Sequence, residues 1–104
     1  MKLITQEKIE RIKNILGRKL DLTQYYNLLE EMGDMKHDYN DYMITAPINA
    51  DEELKRLDKA DYELCTALLT MLLREERFFE GSFERRVNLG QVDVILERML
   101  KVLE

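Results

Sequence analysis

The chain has 104 residues, of which 45% are hydrophobic and 36% charged, with four glycines, one proline and a formal net charge of −5. This length predicts one domain, and this composition is typical of a globular protein and excludes a disordered one. Scarce glycine and proline argue against an all-β fold with many tight turns, and the acidic total disfavours non-specific nucleic-acid binding.

The amino-terminal segment predicts a basic first helix. Thr5 is the candidate N-cap, and apolar residues recur at helical spacing from Ile9 to Leu16, after which Gly17 ends the helix. Residues 1–20 carry six bases against two acids, which leaves open a DNA-binding or phage-type regulatory protein that uses this helix. No long apolar region precedes the helix, so we expect no signal peptide and a cytoplasmic protein.

A second helix is predicted to begin at Asp21 or Thr23 and to end at Gly33. Residues 34–50 have no helical period and predict a loop, in which Tyr42 to Thr45 form an extended segment packed on helices. The loop contains one small cluster of candidate metal ligands: Asp34, His37, Asp38 and Asp41. Their spacing matches no known metal motif, so we expect neither a metal site nor a cofactor.

The central helix is the most informative element. Asn49 is the predicted N-cap of a short helix to about Leu57, and Asp58 is predicted to begin a longer helix that ends near residue 76. Leu64 to Leu73 is apolar around most of the helix circumference, which indicates a helix surrounded by other helices. This run is about half as long as a membrane span, so we expect no membrane-spanning helix.

Cys65 is the only cysteine, and the only histidine, His37, lies far from it in the sequence. We therefore interpret Cys65 as a small buried hydrophobic residue and not as a nucleophile. A lone cysteine also fits a reducing compartment.

A narrow polar stripe interrupts the apolar surface of the central helix. Thr66, Thr70, Arg74 and Arg77 share one face. We expect this seam to be uncovered and take these four residues as candidate ligand-binding residues for an anion or small molecule. The alternative is an ion-pair network, because four glutamates are interleaved with four arginines in residues 74–86. The sequence leaves both interpretations open.

The end of the chain predicts a turn and two further helices. Phe78, Phe79 and Phe83 are interpreted as core and turn anchors and not as a platform for stacking bases. Ser82 is expected to begin a helix to about residue 89, and Gly90 separates it from a last amphipathic helix, 91–103. The chain therefore predicts an all-α, compact single-domain bundle (1–104) of five to six helices around a buried central helix, about 58–76.

The segment from Arg74 to Gly81, Arg-Glu-Glu-Arg-Phe-Phe-Glu-Gly, follows an apolar helix and precedes Gly90 and a leucine-rich final helix. It resembles the carboxy-terminal part of a family of uncharacterised small bacterial proteins with the pattern Arg-x-Glu/Asp-Arg-Phe-x-x-Gly. The resemblance implies a helical protein of the bacterial cytosol. It brings no known activity, cofactor or catalytic residue.

The chain has no glycine-rich phosphate loop, nucleophile elbow, paired-histidine motif or cysteine pair. We therefore predict a non-enzymatic helical interaction or accessory protein that binds an unidentified protein partner, and a homodimer is compatible with its amphipathic helices. A small-molecule or anion-binding regulator that uses the polar stripe is the main alternative. Nucleic acid and membrane are not expected as partners.

Overall fold

The computed structural model describes residues 4–104, which form six α-helices, two short 3₁₀ helices and no strand. The predicted all-α fold is therefore confirmed. The α-helices are α1 (Thr5–Ile15), α2 (Leu22–Met32), α3 (Ala50–Leu54), α4 (Tyr62–Glu75), α5 (Ser82–Asn88) and α6 (Gln91–Leu103). The 3₁₀ helices are Tyr39–Tyr42 and Leu57–Lys59.

Residues 1–3 belong to the segment in which the sequence predicts no signal peptide, and they lie outside the described residues. Among the helices of residues 4–104, none combines the length and the apolar character needed to cross a membrane.

Side-chain caps fix the starts of three helices. Asp21 accepts a hydrogen bond from the backbone N–H of Gln24 before α2, and Asn49 accepts one from Glu52 before α3. Each cap satisfies an N–H group that the first helical turn leaves without a partner. These two starts agree with the sequence analysis, whereas Thr5 is the first residue of α1 and not its cap.

The central helix begins later than predicted. Its N-cap is Asp61, whose carboxylate accepts from the backbone N–H of Leu64 at 2.8 Å, and not Asp58, which lies in the second 3₁₀ helix. Ala60 between them has an extended backbone, with φ −73° and ψ 138°. This extended residue separates α4 from the preceding 3₁₀ helix, so the short helix and the central helix are not continuous.

The centre of the fold is α4, in which every residue from Cys65 to Leu73 is buried. A helix can be buried over such a length only when other elements cover all of its faces. Helices α2, α3, α5 and α6 and the first 3₁₀ helix all pack against it. The prediction of a buried central helix is therefore confirmed.

Candidate functional site: an apolar groove beside an exposed aromatic turn

The two threonines of the predicted stripe are fully buried. Thr70 donates its hydroxyl proton to the carbonyl of Thr66 at 2.8 Å, and Thr66 donates to the carbonyl of Glu63 at 2.9 Å. The loop after α2 covers Thr70, because the backbone N–H of Lys36 lies 3.4 Å from the Thr70 hydroxyl oxygen. The expectation of an uncovered seam is therefore wrong for both threonines.

The two arginines of the stripe lie in different surroundings. Arg74 is half-buried, and its guanidinium carbon lies 5.7 Å from the centre of the Tyr26 ring, a cation–π arrangement. Arg77 is exposed in the turn that follows α4. The structure thus does not bring the four candidate ligand-binding residues to one accessible site.

The acidic loop separates into a buried and an exposed part. Asp34 is buried and accepts a hydrogen bond from the Tyr62 hydroxyl at 2.5 Å. It also forms an ion pair with Lys8, with an N–O distance of 2.7 Å. Burial and the Asp34 carboxylate raise the pKa of Tyr62, which keeps its hydroxyl protonated. His37, Asp38 and Asp41 are exposed, and residues 4–104 contain no group of three or more such side chains arranged to hold a metal ion.

The three phenylalanines near the turn have opposite environments. Phe83 is only 3% exposed and packs edge-to-face on Tyr25, with ring centres 5.3 Å apart. By contrast, Phe78 is 76% exposed and Phe79 is 66% exposed. Of the predicted core and turn anchors, Phe83 lies in the core, whereas Phe78 and Phe79 lie in the turn with exposed rings.

The turn that carries the exposed rings is held by one carboxylate. Glu76 accepts hydrogen bonds from the backbone N–H groups of Gly81 at 2.7 Å and Phe83 at 2.9 Å. These two donors lower the pKa of Glu76. Gly81 has φ +87°, a conformation that glycine adopts without strain. These bonds hold Gly81 and Phe83 against the end of α4, so Glu76 closes the turn that carries Phe78 and Phe79.

Beside the exposed rings lies a small apolar groove with a volume of about 130 Å³. Its walls come from the first 3₁₀ helix, the loop before α3, α4 and the turn: Tyr39, Ile48, Ala50, Met71, Glu75, Phe78 and Phe79. A dry apolar cavity of about 150 Å³ binds one benzene molecule. The groove therefore has room for about one apolar side chain. We call the groove and the two exposed rings together the aromatic site.

A buried carboxylate fixes the loop on one side of the groove. Glu53 is fully buried and accepts hydrogen bonds from the backbone N–H groups of Ile44 at 2.9 Å and Thr45 at 2.7 Å. The Thr45 hydroxyl and the Arg56 guanidinium also donate to it. Burial alone would raise the pKa of Glu53, but these donors outweigh it, and the pKa is lowered. Ile48 follows in the same loop.

A buried guanidinium fixes the other side of the groove. Arg86 of α5 is buried and donates two hydrogen bonds to Glu75, at 3.1 and 3.0 Å, and one to Asp51 at 2.5 Å. A further bond joins it to Gln91 at 2.9 Å. Arg86 thus connects four helices, and the ion-pair interpretation of the arginine-rich segment holds for this residue.

The ion-pair interpretation of residues 74–86 did not distinguish Arg86 from the other three arginines, and no buried role was predicted for Glu53, although helical spacing contained a signal. Glu53 lies three residues after Ala50, and Arg86 lies three residues after Phe83, so each shares the buried face of its helix. A charged residue on a buried face implies a partner. Sequence spacing does not identify that partner.

Cys65 lies inside the core. Its side chain is fully buried, and burial raises the pKa of the thiol to about 12. The thiol is therefore protonated at neutral pH, as expected for a buried hydrophobic cysteine and not for a nucleophile.

Residues 4–104 thus form a small all-α fold with an apolar groove beside two exposed phenylalanine rings. Residues 10–104 match the model of a family of unknown function, DUF6508, and the chain belongs to this family. No curated protein and no solved structure shows significant similarity to the chain.

Proposed function

We propose that the protein is a non-enzymatic accessory protein of the bacterial cytoplasm that acts by binding another protein chain at the aromatic site. The observation that carries this proposal is the exposure of Phe78 and Phe79 beside an apolar groove. The resemblance of residues 74–81 to small bacterial proteins and the presence of a single cysteine, Cys65, support the cytoplasmic assignment.

The area of the exposed rings supports a contact surface. At 76% and 66% exposure, Phe78 and Phe79 together present roughly 300 Å² of apolar surface to solvent. The largest apolar patch on a monomeric protein measures about 300–600 Å² and is often functional. Aromatic residues are also enriched among the residues that contribute most to protein–protein binding.

The rigidity of the site supports the same conclusion. Glu53 fixes the loop that carries Ile48, Arg86 fixes the ends of α3 and α4, and Glu76 fixes the turn. A preformed surface loses little conformational entropy when a partner binds, so more of the contact energy appears as affinity. The buried side chains of Glu53 and Arg86 therefore stabilise the elements that surround the exposed rings.

The two other functions receive less support. An anion bound by the polar stripe would have to reach two fully buried threonines and displace the loop that covers Thr70. A DNA contact through α1 would compete with ion pairs that its bases already form: Lys8 with Asp34, Arg11 with Glu31 and Lys13 with Glu104. Neither function has an observation in its favour comparable to the exposed rings.

The test is a selection of peptides from a displayed random library on the immobilised full chain. We expect peptides with large apolar residues to be enriched on the wild type. They should be lost when the double variant Phe78→Ser/Phe79→Ser is the target, since the substitutions remove the apolar surface. Circular dichroism and urea unfolding verify that the variant is folded.

The matched control is Leu89→Ser, which removes an apolar residue that is 60% exposed and lies outside the groove lining. This variant should retain the wild-type peptides. If the double variant enriches the same peptides as the wild type, the aromatic site is not the contact surface and the proposal is wrong.

A further inference from the structure

We propose that the aromatic site binds a basic segment of its partner chain, in which one large apolar side chain is flanked by lysine or arginine. This inference rests on the proposed function, since it names the chemistry of the partner at the same surface. The charges around the groove carry it: one wall of the groove has an excess of negative charge, and the opposite wall has no net charge.

The acidic wall belongs to residues 38–54, which contain five acids and no base. This segment contributes three residues to the groove: Tyr39, Ile48 and Ala50. Two of its acids are paired with bases that follow them, since Glu52 forms an ion pair with Lys55 and Glu53 forms one with Arg56. The other three acids determine the charge of the wall.

Two of these three acids, Asp38 and Asp41, are available to a partner. Both side chains are exposed, and within the described residues neither forms an ion pair or a side-chain hydrogen bond. A 3₁₀ helix has three residues per turn, so Asp38 and Asp41 share one face and Tyr39 lies on the adjacent face. Because Tyr39 lines the groove, the two carboxylates lie at the edge of the groove.

The network of Arg86 leaves one further negative charge at the groove. Arg86 is a single cation, but it pairs with two carboxylates, Asp51 at 2.5 Å and Glu75 at 3.0 Å. Glu75 lines the groove, and Asp51 directly follows Ala50 and is exposed. The wall therefore carries three negative charges that no base of residues 4–104 neutralises by an ion pair.

The opposite wall, the turn with the two rings, is balanced. Arg77 precedes Phe78, Glu80 follows Phe79, and all four side chains are exposed. One base and one acid add no net charge, and residues 74–86 as a whole carry four of each. The acidic wall therefore sets the sign of the potential that a partner meets at the groove.

The groove and the acidic wall together define the partner. The groove has room for about one apolar side chain. A lysine or arginine beside this side chain pairs with Asp38 or Asp41, or places its cation over the exposed ring of Phe78. Acidic segments, nucleic-acid phosphates and anionic lipids are repelled. Since the contact is smaller than the usual interface of about 800 Å² per partner, we expect a short-lived complex.

Binding of synthetic peptides to the full chain tests the inference. Three fluorescent peptides share the same central tryptophan and differ only in the residues on either side of it, which are lysine, glutamine or glutamate. Measured by fluorescence anisotropy at low salt, the lysine peptide should bind at least about tenfold more tightly than the glutamate peptide, with the glutamine peptide between them. High salt should reduce this difference, because it screens exposed charges.

The variant Asp38→Asn/Asp41→Asn assigns the difference to the acidic wall. It should weaken binding of the lysine peptide about threefold or more and leave the glutamine peptide nearly unchanged. The matched control Asp58→Asn/Glu97→Gln removes two exposed acids outside the groove lining and should have a smaller effect. Circular dichroism verifies that both variants are folded. Equal affinity for the lysine and glutamate peptides, or an unchanged affinity of the Asp38→Asn/Asp41→Asn variant for the lysine peptide, overturns the inference.

The outcomes separate this inference from the proposed function. If all three peptides bind equally and binding is lost in Phe78→Ser/Phe79→Ser, the basic partner is refuted and the protein-binding function stands. The same conclusion follows if no synthetic peptide binds but the displayed library still yields ring-dependent apolar peptides without basic residues. If neither the synthetic peptides nor the library bind, both are refuted. Ring-dependent binding to phosphatidylcholine vesicles in that case would assign the surface to a lipid.

Discussion

The polar stripe of α4 and the phenylalanine turn that follows it lie in opposite environments. Thr66 and Thr70 were expected at an uncovered seam and are fully buried, whereas Phe78 and Phe79, interpreted as core and turn anchors, lie in the turn and are mostly exposed. The two regions are less than ten residues apart. Their difference shows what spacing determines and what it leaves open.

Spacing determines which side chains share a face, but remote parts of the chain determine which faces are covered. The loop after α2 crosses the threonine face of α4, and its Lys36 reaches the hydroxyl of Thr70 from 34 positions away. The turn after α4 is instead closed by its own Glu76. The chain thus buries polar residues where a loop crosses α4 and exposes aromatic ones where the turn closes on itself.

The phenylalanines provide the largest expected contrast. Phe83→Ala should lower the free energy of unfolding by about 3–5 kcal/mol, because it leaves a cavity against Tyr25 in the core. Phe78→Ala should change it by no more than about 0.5 kcal/mol, because its ring is exposed. Urea unfolding at neutral pH measures both. Similar losses for the two variants would mean that the turn packs against the core in solution.

Two neighbouring arginines of α5 form the next contrast. Arg86→Met should cost about 3–5 kcal/mol, because it removes the cation that neutralises Glu75 in a largely buried place. Arg85→Met, one residue earlier on the exposed side of the helix, should stay within about 0.5 kcal/mol. Urea unfolding again separates them. If Arg86→Met is as stable as the wild type, the network does not hold α5 against α4.

Much of the fold could be predicted from local signals. Asp21 and Gly33 mark the two ends of α2, and the apolar stripe of α6 predicts which face of that helix is buried. Both signals are local, because caps and helical periodicity depend on residues a few positions apart. The start of α4 could not be predicted, since Asp58 and Asp61 are both suitable caps. The extended backbone of Ala60 places the cap at Asp61.

The candidate site was less predictable because its frame is built from distant pairs. Asp51 and Arg86 are 35 positions apart, and no periodicity relates them. Phe78 and Phe79 are exposed because no other part of residues 4–104 packs over their rings. No local sequence pattern encodes this. The arginine-rich segment 74–86 could be predicted as an ion-pair network or an anion site, but its spacing did not show that Arg86 is the buried arginine.

Glu53 gives a smaller effect that depends on pH. Glu53→Gln keeps the shape of the side chain and removes the charge that accepts bonds from Ile44, Thr45 and Arg56. We expect a loss of about 2 kcal/mol at neutral pH, in the range for hydrogen bonds to charged groups. Glu52→Gln, an exposed neighbour, should change stability by about 0.5 kcal/mol or less.

The pKa of Glu53 fixes the sign of the pH effect. Since folding lowers this pKa below the usual value of 4.5, the carboxylate stabilises the fold above that pH, and the contribution is lost as pH falls through the folded pKa. The difference in unfolding free energy between wild type and Glu53→Gln should therefore shrink below about pH 4.5. Unfolding curves over this range measure it. A difference that stays constant with pH would show that folding leaves the pKa of Glu53 unchanged.

The smallest effect returns to the threonines and distinguishes a structural stripe from a ligand site. Thr70→Val keeps the shape of the side chain but removes the hydroxyl near the Lys36 N–H, so we expect a loss of about 1 kcal/mol. Thr66→Val removes a hydroxyl bonded only within α4 and should cost less. Amide hydrogen exchange at Lys36 provides a second readout, because a released loop should exchange faster in Thr70→Val alone. If both substitutions left stability and exchange unchanged, the hydroxyls would have no structural role, and a ligand-binding role for the stripe would regain support.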